Sequence, residues 1–349
     1  MPSATTALRS PTPPDAPPTP VRRAISARGL TRSFDAGDAV AGLDLAIAEG
    51  EIYGFLGPNG AGKSTTVRML CTLLAPTSGV AEVAGRDVVT DAQEVRLRIG
   101  AALQDISLDP RQTGRELLGL QGRFYGLNNS TIDERMRELT SLVDIGDALD
   151  RRIETYSGGM RRRLDLAAAL VHEPEVLFLD EPTTGLDPAS RTRVWDEVRT
   201  LNERLGMTIL LTTQYLEEAD ALADRIGIIN HGRLVAEGTT QELKRQVGRD
   251  IVLAEISHDV DVAQDALSNI GGVDAIDTDG KVLRIATADG AKTIGAVAIA
   301  LEAAGIAFDG LRLRSTSLDD VFLELTGTRI QHDTTTAETT GTLNLGESR

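Results

Sequence analysis

The run Ile52-Tyr53-Gly54-Phe55-Leu56, followed by Gly57-Pro58-Asn59-Gly60-Ala61-Gly62-Lys63-Ser64-Thr65, decides the fold. A short apolar run without alternation reads as a strand buried on both faces of a parallel sheet. The nine residues after it match GxxxxGK[ST], and residues 65–74 read as the helix that follows. Strand, glycine-rich turn and helix in this order build a phosphate cradle. The glycines let the backbone wrap closely, so that successive N–H groups from Gly57 to Thr65 point at phosphate oxygens. The helix start adds its partial positive end. Lys63 is expected to reach the β- and γ-phosphates, and Ser64 to offer its hydroxyl to Mg²⁺. The residue frequencies of the chain make an accidental match a roughly 1-in-200 event. Lys63 is also one of only four lysines in a sequence that otherwise uses arginine.

Working outward, the runs 176–179, 209–211 and 226–229 have the same buried-strand character, and 191–205 and 215–223 read as helices between them. Residues 24–34 and 40–47 alternate more and are expected to form an antiparallel edge. The run ending at Leu179 is followed by Asp180-Glu181, two carboxylates at the carboxyl end of a strand, where α/β proteins bind ligands. Asp180 is expected to hold Mg²⁺ and Glu181 to act as general base on the attacking water, an effect typically worth ~10²–10⁴-fold in rate.

From residue 250 the character changes. Strands are expected at 251–256, 282–286 and 308–313, with helices at 262–269 and 294–304, a pattern that suggests a small ferredoxin-like unit. Seven of the 13 prolines fall in the first 20 residues, so 1–23 reads as an extended arm, and the Thr-rich stretch 328–349 as a tail.

The net charge of −16 argues against nucleic acid or an anionic bilayer as the direct partner. The single cysteine, Cys71, cannot form an intramolecular disulfide, which suits a reducing cytoplasm. No run approaches the ~20 apolar residues of a membrane-spanning helix, and the first residues lack the apolar core of a secretory signal.

Many ATPases share the two motifs above, and a third discriminates. Tyr156-Ser157-Gly158-Gly159-Met160 resembles the LSGGQ signature of ABC ATPases, with Tyr and Met in its first and last places. Ser-Gly-Gly alone reads equally well as a helix N-cap. The resemblance covers about 24–245 and implies an ABC-type nucleotide-binding domain, α/β with a RecA-like parallel core, an antiparallel β edge and a helical subdomain near 105–160, followed by the small α/β unit at 250–327. It implies that Ser157, Gly158 and Gly159 serve the γ-phosphate of ATP bound by a second copy, in a head-to-tail homodimer. It also matches Gln104 to the Q-loop, which senses Mg²⁺ and water, and Gly185-Leu186-Asp187 to the D-loop. Phe34 stands where an aromatic stacks on adenine, although core packing is an equally good reading. One position departs from the family: Gln214 follows Thr212-Thr213 where a histidine is usual. Its amide can donate to a γ-phosphate oxygen but cannot shuttle a proton, so Glu181 is inferred to carry the base role alone.

Narrower still, Thr155 to Arg163, Gln214-Tyr215-Leu216-Glu217-Glu218-Ala219-Asp220 and Ser317-Leu318-Asp319-Asp320-Val321-Phe322 resemble the daunorubicin/doxorubicin-resistance ATP-binding family. That resemblance implies an ATPase subunit that energises drug export through a separate integral membrane permease, peripheral on the inner face of the membrane. The permease would dock near 108–149. The alternatives are a soluble ABC ATPase acting on ribosomes or DNA, and an exporter of lipid or polysaccharide.

Overall fold

The computed structural model describes residues 22–103, 108–143, 145–256, 260–268 and 270–327. In chain order the first part contains β1 (Arg23–Phe34), β2 (Gly37–Ala48), β3 (Ile52–Leu56), α1 (Lys63–Leu70), β4 (Ser78–Val83), β5 (Arg86–Asp87), α2 (Ala92–Arg98) and β6 (Ile99–Ala102). Then come α3 (Gly114–Phe124), α4 (Asn129–Leu142), two 3₁₀ turns, α5 (Gly158–Leu170), β7 (Val176–Asp180) and α6 (Pro188–Leu205). β8 (Thr208–Thr213), α7 (Leu216–Leu222), β9 (Arg225–Asn230), β10 (Arg233–Gly238) and α8 (Thr240–Val247) complete it.

The main sheet runs β10-β9-β3-β8-β7-β6, parallel throughout except for β10 against β9. Every residue of β3, β7 and β8 is buried, which explains why these strands read as continuous apolar runs. The antiparallel pair at the amino end is not an edge of this sheet. β2-β1-β4-β5 is a separate four-stranded sheet. Its Ile25, Leu30, Val40 and Ile47 share a core with Tyr53 and Phe55 of β3 and with Met69 and Leu70 of α1. Alternation in β1 and β2 records this two-sided environment and does not disclose which sheet the strands join.

Helix ends follow local chemistry. Thr113 caps α3 in a reciprocal box with Glu116, and Asp187 caps α6 with Pro188 in its first turn. Helix α1 stops at Leu70, short of the expected 74. The Arg68 carbonyl accepts from both Leu73 and Leu74, and Thr72 turns left-handed at φ 61°.

The last part consists of β11 (Asp250–Ile256), α9 (Val260–Ser268), β12 (Val273–Asp279), β13 (Val282–Thr287), α10 (Gly290–Ala303), β14 (Phe308–Arg314) and α11 (Leu318–Thr326). Strand order β12-β13-β11-β14, all antiparallel, with a helix after β11 and another after β13, is the ferredoxin-like arrangement. β12 was not expected: three of its seven residues are aspartates and none is buried. The stretch 318–326, folded as helix α11, lies within the small unit expected at 250–327. Its Leu318, Val321 and Phe322 instead pack with Leu56, Leu216, Ala219, Ile226 and Leu243, so the chain returns to the nucleotide-binding core. No described helix is long and apolar enough to cross a membrane.

Candidate active site

β3 delivers Gly57 to the carboxyl edge of the sheet, where its N–H donates to Thr213 O at 3.3 Å. The loop has no room for side chains at two points. A Cβ on Gly57 would lie 2.5 Å from Ile229 O, and one on Gly62, at φ 106°, would lie 2.4 Å from Ala39 O. Asn59 and Gly60 form the exposed tip, and Ala61 is buried beneath it. Pro58, Ser64 and Thr65 are half-buried. Lys63 is buried, and its Nζ donates to Gly57 O at 2.7 Å and to Pro58 O at 3.1 Å. The same ammonium lies 3.5 Å from Glu181 Oε1. Burial pushes its pKa down, while Glu181 and Asp180 push it up.

Asp180, 2 % exposed, ends β7 directly beside this loop. Its Oδ1 accepts from Ser64 Oγ at 3.1 Å and from Thr212 Oγ1. Glu181, 8 % exposed, has a left-handed backbone at φ 50°. A non-glycine residue there stores about 1–3 kcal/mol and persists only when its surroundings over-determine it. Its N–H donates to Thr212 Oγ1 at 3.0 Å and to Thr212 O at 3.1 Å, and its Oε2 accepts from Thr184 Oγ1 at 3.2 Å. The sequence reading did not single out Thr212 as a site residue. Its role comes from the β7–β8 register, which sets Thr212 opposite Asp180.

Gln214 is half-buried and follows β8, at the same sheet edge as Gly57 and Asp180. Gln104 lies outside the described residues. Phe34 is 48 % exposed with the Arg32 guanidinium 4.7 Å from its ring centroid, which removes the core-packing reading. Ser157 caps α5 by accepting from Met160 N at 3.3 Å, and Gly158 is exposed beside it. Among the described residues no hydrogen bond joins Ser157, Gly158 or Gly159 to residues 57–65. Tyr156 is buried, and its hydroxyl donates to Ala148 O, so an aromatic at the first signature place is anchored in the core of the helical segment.

A family model described as ABC transporter matches residues 40–184. A second, described as ATP-binding protein DrrA1-3-like, C-terminal domain, matches residues 238–326. The chain is similar to the daunorubicin resistance ATP-binding protein DrrA3 of Streptomyces coeruleorubidus, at 49% identity over 87% of this chain and 96% of that protein. This chain is a DrrA-like ABC ATP-binding protein.

The DrrA-like chain is also similar to the daunorubicin/doxorubicin resistance ATP-binding protein DrrA of Streptomyces peucetius, at 48% identity over 87% of this chain and 93% of that one. Among solved structures, the dimeric ATP-binding cassette MJ0796 bound to ADP and Pi aligns with TM-score 0.57 and 25% identity. That alignment covers 62% of this chain and 98% of that one. A DrrA-like protein of this family binds and hydrolyses ATP. The residues present suit that substrate: a backbone cradle closed to side chains, a buried lysine at its centre, and a hydroxyl–carboxylate pair for a divalent cation.

Proposed function

We propose that this ATPase energises export of an antibiotic or drug through a separate integral membrane permease, which holds it peripherally at the inner face of the membrane. The observation that carries this reading is similarity over 87% of the chain, C-terminal part included, to proteins named for daunorubicin and doxorubicin resistance. Two copies would close head to tail around two ATP molecules, with Ser157, Gly158 and Gly159 of each reaching the γ-phosphate held by the other. Residues 57–65 would hold the phosphates and Phe34 would stack on adenine. Ser64, Asp180 and Gln104 would hold Mg²⁺, which when bound neutralises charge on the β- and γ-phosphates.

Glu181 is the base in this scheme: it takes a proton from the attacking water while Lys63 and the Gln214 amide donate to γ-phosphate oxygens. Its carboxylate is held between Lys63 and Thr184, so it is aimed before substrate arrives. The permease would dock where the helical segment meets the core. A cavity of about 300 Å³ lies there, lined among others by Cys71, Gln121, Tyr125 and His172. Leu73, Leu97 and Phe124 are exposed large apolar side chains of the turn after α1, of α2 and of α3 respectively, of the kind that marks an interface.

Affinity purification of the tagged protein from its own cells, with and without ATP, tests the reading. An accompanying integral membrane protein with several spans is the expected result. Ribosomal or DNA-bound partners with nothing from the membrane would overturn the export role and leave the ATPase standing.

A further inference from the structure

We propose that Arg162 is a positioning residue that ties the signature helix to the catalytic base, so that events at Ser157–Gly159 of one subunit reach that subunit's own Glu181. The inference rests on the reading of Glu181 as base and of the α5 start as the surface meeting the second copy.

Arg162 lies in the second turn of α5 and is 6 % exposed. Its Nε donates to Pro182 O at 3.2 Å and its Nη2 to Asp180 O at 3.3 Å. These carbonyls belong to the two residues that flank Glu181. Its Nη1 donates to Leu103 O at 2.9 Å, the last described residue before Gln104. The counter-charge is Asp165, whose Oδ2 lies 3.4 Å from Nη1. One planar group therefore grips three carbonyls on two backbone segments that carry the expected chemistry, and it is mounted on the helix that begins with the signature.

The backbone explains why such a grip is needed. Glu181 sits at φ 50°, a conformation a non-glycine residue leaves unless it is held. Thr212 fixes the Glu181 N–H, and Arg162 fixes the carbonyls on either side. The Glu181 carbonyl itself accepts from Thr184 N at 3.3 Å, so the backbone is held on both sides of the residue. A guanidinium suits the task because its donors diverge in a rigid fork, whereas an ammonium is a point charge with no fixed fan of donors. Burying a cation merely to fill space is unfavourable compared with an apolar residue of similar volume. The carbonyl set is what the charge is there to hold.

The test uses the full chain with Arg162→Lys, Arg162→Gln, Glu181→Gln and the double variant Arg162→Gln/Glu181→Gln. Three readouts are needed: kcat and KM for ATP, binding of a fluorescent ATP analogue, and ATP-dependent dimerisation. Both Arg162 variants are expected to bind nucleotide within about threefold of the parent while kcat falls about 10-fold or more. Lysine is not expected to rescue, because the fork and not the charge is required. Adding Arg162→Gln to Glu181→Gln should change the residual rate less than about twofold, since the group being positioned is already gone. The closed dimer should still form. Losses that multiply in the double variant, or a parent-like kcat in Arg162→Lys, overturn the inference, and the lysine variant decides alone if glutamine prevents folding. A parent rate in Glu181→Gln by itself overturns the base assignment, and with it the positioning of that base. Parent rates in both Arg162 variants beside an inactive Glu181→Gln overturn the positioning alone.

Discussion

Asp165 shows how a single half-buried acid links this site to pH. Burial pushes its carboxyl up to about 6, against the pull of Arg162. A carboxyl with a higher pKa folded than unfolded favours the folded state while it is protonated. Its contribution is complete below the unfolded value near 3.8 and is lost as the pH rises through about 6. Asp165→Asn carries no such proton. The parent is therefore expected to lose about 2 kcal/mol relative to that variant between pH 4 and pH 7, read from urea midpoints at the two pH values. A difference that stays constant, or that moves in the parent's favour as the pH rises, contradicts the assignment. At this scale the sequence was most readable where chemistry demands contiguous residues. The phosphate loop and the Asp180-Glu181 pair could be named before any fold was known. Thr212 and Arg162 could not, because they meet Glu181 only through strand order and the packing of α5 on β6.

Helix α11 poses the question at the level of an element. Ser317 and Asp320 close a capping box, so the helix start is written into the local sequence. Its apolar face is equally plain, but amphipathicity specifies which face is buried and not what buries it. The chain uses it to brace α7, the short helix that follows Gln214, with Leu216 and Ala219 sharing a cluster with Phe322. Phe322 is fully buried, and Phe322→Ala is expected to cost about 3–5 kcal/mol. Denaturation followed by Trp195, the single tryptophan and a residue of α6, should report that loss. A loss invisible to Trp195 would assign α11 energetically to the small sheet instead. β12 was hidden for the opposite reason: in an edge strand with three aspartates and no fully buried residue, the half-buried Val273 and Ile276 leave too sparse an apolar pattern to read.

Across the whole molecule, charge sets a condition on assembly. Each copy carries −16, so two copies brought together by ATP repel at long range. Raising NaCl from about 0.01 to 0.1 M shortens the screening length from about 30 to 10 Å. In the Glu181→Gln background this is expected to tighten ATP-induced dimerisation several-fold, as measured by sedimentation. A weaker dimer in salt would mean that local complementarity at the interface outweighs the net charge. The parallel core was legible because its strands are buried on both faces, whereas the route of the chain through its last part was not. That route runs out and back through one doorway. Gly248, just past α8, abuts Thr316, just before α11, closely enough that a Cβ would meet the threonine hydroxyl at 2.9 Å. Thr316 N also donates to Asp250 Oδ1 at 3.2 Å. α8 and α11 then pack side by side on the core. Residues 249–316 thus form a cassette spliced between two neighbouring helices, a unit that recombination could exchange between related genes through one short joint without rewriting the motor beneath it.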